Sequence, residues 1–210
     1  MSEPQWLIWA RDVQAIAQNG LTFCQNPYDR ERYEQLRLLS AKMLSALSET
    51  TPERMLALLE KECGYTTPKI DVRGAVFNDQ GHILMVREAI DHDRWTLPGG
   101  WADVNLTTAQ NTLKEVLEES GYTAEIIKLA ALWDRDTQGH PPDLYSCAKV
   151  FYICRLTGGT ATIDNLETSG IGWFDRQNLP TDLSLGRLQP HQLVRMFEHY
   201  AHPEMATDYD

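Results

Sequence analysis

Residues 97–122 constrain this chain more than any other stretch. They read as a tight glycine turn, a short loop and one capped amphipathic helix. Gly99 and Gly100 let the backbone approach a ligand closely and permit positive φ. Thr107 is a good N-cap residue, and Gln110 three positions on can complete a capping box. Gly121 sits where a glycine stops a helix. Between them Ala109, Leu113, Val116 and Leu117 recur at helical spacing, which predicts an apolar stripe. Glu115, Glu118 and Glu119 stand at i, i+3 and i+4, so their carboxylates are expected on a second face.

Like charges at this spacing cost roughly 0.2–0.5 kcal/mol per pair. They also lie in the C-terminal half of the helix, where the macrodipole disfavours negative charge. A lone Glu-x-x-Glu-Glu is usually a solvated acidic face; the glycine pair ahead shifts the balance toward a site. A hard divalent cation such as Mg²⁺ would remove the repulsion, because it takes carboxylate oxygens together with substrate phosphates.

This arrangement resembles the Nudix box, G-x5-E-x7-R-E-U-x-E-E-x-G-U, with U a bulky apolar residue. Gly100, Glu115, Val116, Glu118, Glu119 and Gly121 match in register, and Tyr122 fills the last bulky position. Five strict matches at frequencies of roughly 6–7% each arise by chance about once in a million positions. Leu106 replaces the first Glu of the box and Lys114 replaces its Arg. Those two residues usually pair in the family, so their joint replacement is less damaging than the loss of either alone. Asp103 is an alternative partner for Lys114.

Composition narrows the function classes. The chain has 210 residues, 42% of them hydrophobic, and a formal net charge of −11. That suits one large domain or a main domain with an appendage, and the acidity argues against binding extended nucleic acid. Cys24, Cys63, Cys147 and Cys154 form no C-x-x-C pair and read as reduced, buried thiols. No signal peptide and no membrane-spanning apolar run is evident, so the expectation is a cytoplasmic protein without a membrane partner.

Residues 1–65 read as three helices. The first opens at Pro4, carries Trp6, Trp9, Ala10, Val13 and Ile16 on one stripe, and stops at Asn19-Gly20. The second covers about residues 29–47, with Tyr33, Leu36, Ser40, Met43, Leu44 and Leu47 at helical spacing. The third starts near Thr51-Pro52. A piece of this size buries too little surface to be comfortable alone, so it should pack on the main domain or a second subunit. Residues 68–202 then read as the main domain. Strands are predicted over 70–77, 82–87, 124–133, 145–156 and 170–174. A hairpin turn is expected at Asn78-Asp79-Gln80-Gly81, a polar loop over 88–93, a terminal helix over 190–200 and a frayed tail from His202. Together these give an α+β fold, an α/β/α sandwich with a mixed β-sheet, plus a small all-α N-terminal domain. The Nudix fold is of this kind.

The box resemblance implies metal-dependent hydrolysis of a nucleoside diphosphate linked to another moiety, X, with Mg²⁺ as the cofactor and Mn²⁺ as a substitute. It makes Glu115, Glu118 and Glu119 the metal ligands, with the Gly99 carbonyl completing the set. One of these carboxylates can instead accept the water's proton; many members take the general base from a loop after the box, and Glu167 is the candidate there. An exposed loop Glu is the bland reading of that position. Arg73, Arg87 and Arg94 are candidate phosphate contacts. Arg73 lies among apolar strand neighbours and needs a partner, either a phosphate or a structural carboxylate. Trp101 can stack on a base, close over a quaternary ammonium or simply pack the loop. His140 reads as a surface or substrate-rim residue.

The helical N-terminus, Asp71-Val72-Arg73, the loop from Pro98 to Asp103 and the Lys114-Glu115-Val116 helix resemble a narrower branch, the bacterial CDP-choline pyrophosphatases often called ADP-ribose pyrophosphatases. That resemblance implies cleavage of CDP-choline to CMP and phosphocholine by a homodimer. ADP-ribose or another nucleotide sugar is the alternative substrate. Processing of an RNA end and a non-catalytic ligand sensor stand behind these; the sensor is disfavoured because all three Glu are kept and no basic recognition helix is evident.

Overall fold

The computed structural model describes residues 4–46, 48–163 and 167–210, and divides them into two compact units. The helical unit comprises the described residues up to Pro68 together with Pro142–Tyr145; the sheet unit holds Lys69–Pro141 and Ser146–Asp210.

In the helical unit, α1 (Gln5–Phe23), α2 (Pro27–Ser45) and α3 (Pro52–Leu59) follow one another. Asn26 caps α2 and Thr51 caps α3, each with proline in the first turn, as expected where the missing N–H costs nothing. Leu7, Ala10, Ala41, Leu44, Met55 and Leu59 form the core. Two expectations for α1 are corrected. The helix runs through Gly20 to Phe23, because a Cβ at Gly20 would lie 2.3 Å from the Tyr33 ring; the glycine makes room for α2 and stops nothing. The buried face is Leu7, Ala10, Gln14, Ala17 and Gln18, while Trp9 and Ile16, placed on the apolar stripe by spacing alone, are exposed. Leu47 lies outside the described residues.

The sheet unit is built on a mixed seven-stranded sheet, ordered β3-β2-β1-β5-β4-β7 with β6 on β2. The strands are β1 (Lys69–Phe77), β2 (Ile83–Glu88), β3 (Arg94–Thr96), β4 (Tyr122–Asp134), β5 (Cys147–Gly159), β6 (Thr168–Phe174) and β7 (Asp208–Tyr209). β1 and β5 pair in parallel, with Asp71 opposite Lys149. Alternation along β1 divides the unit into two cores. Ala75 and Phe77 join Phe151, Leu193 and Met196 under α5 (Pro190–Ala201). Val76 joins Leu84 and Val116 beneath α4 (Thr108–Ser120). This is the α+β sandwich with a mixed sheet and an α-helical N-terminal region that the sequence predicts.

The tail is not frayed. Thr207 Oγ1 donates to the Leu129 carbonyl (2.9 Å), and Arg195 and His199 both hold the Asp208 carboxylate. These contacts carry the chain into β7 alongside β4. Cys63 is exposed, against the expectation of buried thiols, whereas Cys147 and Cys154 are buried and all four cysteines are free. Among the described residues no helix is long and apolar enough to cross a membrane.

Candidate active site

The sequence of α4 sets its ends. Thr107 and Gln110 form a reciprocal capping box, and Gly121 closes the helix with φ 72°. Its buried face, however, is Thr112, Val116, Glu119 and Ser120 with Asn111, and Leu117 is exposed. The physical reason lies in β1. A Cβ at Gly74 would come 2.8 Å from Val116 Cγ2 and 3.1 Å from Thr112 Cγ2, so the glycine allows the helix to seat Val116 and Thr112 directly on the strand. That rotation carries Glu119 inward, to 5% exposure. The three carboxylates therefore do not share one solvated face.

The glycine turn runs antiparallel along β1. Gly74 N–H donates to the Pro98 carbonyl (2.9 Å), Val72 N–H to Gly100 (2.8 Å), and Ala102 N–H to Ile70 (2.9 Å). Gly99, between them, has φ 144°, and a Cβ there would lie 1.9 Å from the Val72 carbonyl oxygen. Its N–H donates to Glu119 Oε2 at 2.9 Å. Gly100 passes beside Glu115, since a Cβ on it would sit 3.5 Å from Glu115 Oε2. Two box carboxylates are thus brought to the two glycines. Gly99→Ala is expected to shift the turn off β1, lowering the melting temperature and abolishing hydrolysis together, because both the backbone angle and the contact forbid a side chain. A melting curve and an activity assay on the same preparation check this.

Burial raises the pKa of Glu115, and pushes that of Glu119 up to about 8 although Arg73 and the Gly99 amide oppose it. Glu118 faces outward to Lys114, whose Nζ lies 2.8 Å from Glu118 Oε2, 3.2 Å from Asp103 Oδ2 and 3.5 Å from Glu115 Oε1. Lys114 thus takes Asp103 as a partner and offsets the repulsion expected along the helix. Loop geometry is fixed by a residue that spacing did not single out. Buried Asn111 accepts from Asp103 N–H (3.0 Å) and donates to the carbonyls of Asp103 and Thr107.

As the side chains stand, no group of three His, Cys, Asp or Glu among the described residues is gathered to hold a metal ion. The chemistry of the donors still fits a hard divalent cation. A buried carboxylate whose pKa is driven up by desolvation has more negative charge than its surroundings neutralise, and Glu119 and Glu115 are two such groups beside one backbone turn.

Arg73 has found the structural carboxylate. Its Nε and Nη2 donate to the two oxygens of Asp71 (2.9 and 2.6 Å) and its Nη1 to the Leu97 carbonyl (3.1 Å), all buried. Arg87 lies over the Trp95 ring at 4.8 Å and 3.7 Å from Asp182. Arg94 is 3.4 Å from Asp91. Trp101 is exposed, with its backbone bridged to Asp71. Glu167 is exposed, and its carbonyl accepts from Ala89 N–H at 2.8 Å; Asn165 and Leu166 of that loop lie outside the described residues.

Sequence reasoning missed Glu88 by assigning it to a polar loop. It is the last residue of β2, 8% exposed, just past the register shift between Arg87 and Glu88 in the pairing with β6. Burial raises its pKa, Arg187 holds it at 3.1 Å, and Glu167 and Glu119 lie within its electrostatic range. A charged residue at the end of an apolar strand run was the available signal.

Residues 67–195 match the model of the NUDIX domain. Residues 4–59 match that of the UDP-X-like, N-terminal oligomerisation domain. A Bacillus subtilis (strain 168) protein named "Putative ADP-ribose pyrophosphatase" is 43% identical over 208 residues, covering 99% of this chain and 98% of its own length. The crystal structure of an ADP-ribose pyrophosphatase from Streptococcus suis 89-1591 is 37% identical with a TM-score of 0.61, covering 69% of this chain and 100% of that one. That of a UDP-X diphosphatase is 30% identical with a TM-score of 0.61 and full coverage of both chains. Capped helix, glycine turn and carboxylates all fall within the matched span, and the chain belongs to the Nudix hydrolases, a family of pyrophosphatases.

Proposed function

We propose that this hydrolase cleaves the pyrophosphate bond of a nucleoside diphosphate linked to X, with Mg²⁺ held by Glu115, Glu118, Glu119 and the Gly99 carbonyl. The observation that carries the reading is Glu119, buried on α4 yet bonded to the Gly99 amide at 2.9 Å. Bound there, a divalent cation draws charge from the phosphoryl oxygens and makes water a better nucleophile. The chain does the rest by positioning. Water adds across the P–O–P link to give a nucleoside monophosphate and phosphorylated X. Glu167 accepts the proton of the attacking water, a role supported by its place beside Glu88. Arg87, Arg94 and Trp101 are the candidate substrate contacts, while Arg73 acts on Glu119 as a fixed positive charge.

For X, the loop from Pro98 to Asp103 and the helical N-terminus favour CDP-choline, giving CMP and phosphocholine. ADP-ribose is the second reading, favoured by the names of the Bacillus and Streptococcus relatives. The N-terminal domain, residues 1–65, makes the homodimer. Trp9, Ile16 and Phe23 recur every seventh residue along α1 and are 57%, 55% and 66% exposed, an apolar seam that suits a second copy. Values of kcat/KM for CDP-choline, ADP-ribose and UDP-glucose decide the substrate. CDP-choline ahead by about tenfold, or about 1.4 kcal/mol, is the expected result; ADP-ribose on top rejects the choline reading and leaves the hydrolysis standing.

A further inference from the structure

On the face of the sheet turned away from α4, a second polar cluster is buried, and the hydrolytic centre does not account for it. Asp71, Arg73 and Lys149 are 6%, 2% and 2% exposed. Asp71 is shared by both cations, since Lys149 Nζ donates to the same Oδ1 (2.6 Å) that accepts from Arg73 Nε. One carboxylate thus serves two buried positive charges, and the trio carries a net positive charge. That single bond is the one Lys149 makes among the described residues, although an ammonium has three N–H groups to place.

His140, expected as a surface or substrate-rim residue, is 7% exposed. Lys149, Arg135 and Asp71 are the charged groups that act on its ring. Its Nδ1 lies 2.8 Å from the Leu185 carbonyl. A carbonyl only accepts, so the proton is on Nδ1 and Nε2 presents a lone pair. Nε2 is buried and makes no hydrogen bond among the described residues. Burial pulls the His140 pKa down to about 4, which keeps the ring neutral and the lone pair in place.

A buried donor with unused N–H groups and a buried acceptor with none thus lie within electrostatic range of each other. Leaving either unmatched costs roughly 1–3 kcal/mol, and native sites keep such groups where a ligand or water completes them. A ligand edge with an acceptor beside an N–H donor would complete both, and the Watson–Crick edge of a nucleobase has that pattern. The cluster is also joined to the hydrolytic centre. Arg73 acts on Glu119 through space, and Val72, next to Asp71, bonds the Gly100 carbonyl.

We infer that His140 Nε2 and Lys149 Nζ form the base-reading subsite of this hydrolase, His140 accepting an amino or ring N–H and Lys149 donating to the adjoining carbonyl or ring nitrogen. The inference rests on the nucleotide-hydrolase reading for the kind of ligand, but its test does not need hydrolysis. CMP, UMP, AMP and GMP are titrated calorimetrically into the full chain without divalent cation. The same is done with His140→Asn, whose amide can still donate to Leu185 but has no acceptor at the ε position, and with His140→Gln, which restores an oxygen there. Wild type should prefer one base by about tenfold or more, because a site built to hydrogen-bond a group rejects analogues that lack it. Asn should bring the four affinities within about twofold, and Gln should recover part of the preference. An unchanged preference in the Asn variant, an equal loss for all four bases, or no preference in wild type overturns the inference, water then being what completes these groups. Failure of hydrolysis with base preference intact counts against the reaction alone.

Discussion

Glu119→Gln is expected to lower kcat/KM by about 10³-fold or more, a loss of roughly 4 kcal/mol of transition-state stabilisation, while the fold survives. The variant should also be more stable than wild type in alkaline, cation-free buffer. The Glu119 pKa stands at about 8 against an ordinary value of 4.5, with burial the chief cause. A carboxyl with a raised folded-state pKa binds its proton more tightly when folded. Its contribution to stability is therefore fully present below the ordinary value and is lost as pH rises through about 8. At about 1.4 kcal/mol per unit, the loss is on the order of a few kcal/mol. Melting curves with chelator should fall between about pH 5 and about pH 9 in wild type and fall less in the variant. Added Mg²⁺ should raise the wild-type melting temperature more at the alkaline end and leave the variant nearly unmoved. Equal pH profiles in the two proteins would remove Glu119 from the buried, cation-compensated role.

Asp71→Asn is expected to destabilise the chain by about 3–5 kcal/mol, the usual result of stripping one partner from a buried ionic group. At roughly 2–4 °C per kcal/mol for a chain of this size, the melting temperature should fall by about 10 °C. The mechanism is specific. Asp71 is the carboxylate held by both Arg73 and Lys149, whose side chains are 3% and 2% exposed. Burial alone would raise the Asp71 pKa, but the two cations hold it down to about 2. Its contribution is present above the ordinary carboxylate value near 3.8 and is lost as pH falls through about 2. Adding Lys149→Met to Asp71→Asn removes one stranded charge and should recover part of the loss; no recovery would show that the cost arises elsewhere.

These two residues also mark what sequence reasoning reaches. The ends of α4 were legible because capping is local chemistry, written in Thr107, Gln110 and Gly121 within a few residues of the turns they make. The carboxylate spacing and the glycine pair were legible for the same reason, and with them the family and the layered fold. The inward face of α4 was not. Counting apolar residues favoured Ala109, Leu113, Val116 and Leu117, of which Val116 is buried and Leu117 exposed; the true face is chosen by Gly74 in another element, which lets Val116 and Thr112 seat closely. Only the assembled sheet sets Glu119 inside. Asp71 and Lys149 lie far apart in sequence and meet because β1 and β5 run in parallel, a pairing no local pattern encodes. His140 does lie in a loop, as its turn-forming neighbours Gly139, Pro141 and Pro142 indicate; its burial was not legible, because its partner is the Leu185 carbonyl from a distant segment. The tail was misjudged on similar grounds, since Asp208 is held by Arg195 and His199 of α5.

The most direct test of the central claim is product identification. The full chain is incubated with a nucleoside diphosphate linked to X, in Mg²⁺ and in chelator, and the phosphorylated products are separated. Nucleoside monophosphate and phosphorylated X in equal amounts, formed with Mg²⁺ and absent with chelator, is the predicted result. Equal turnover in chelator, or release of orthophosphate with the pyrophosphate link intact, would contradict it.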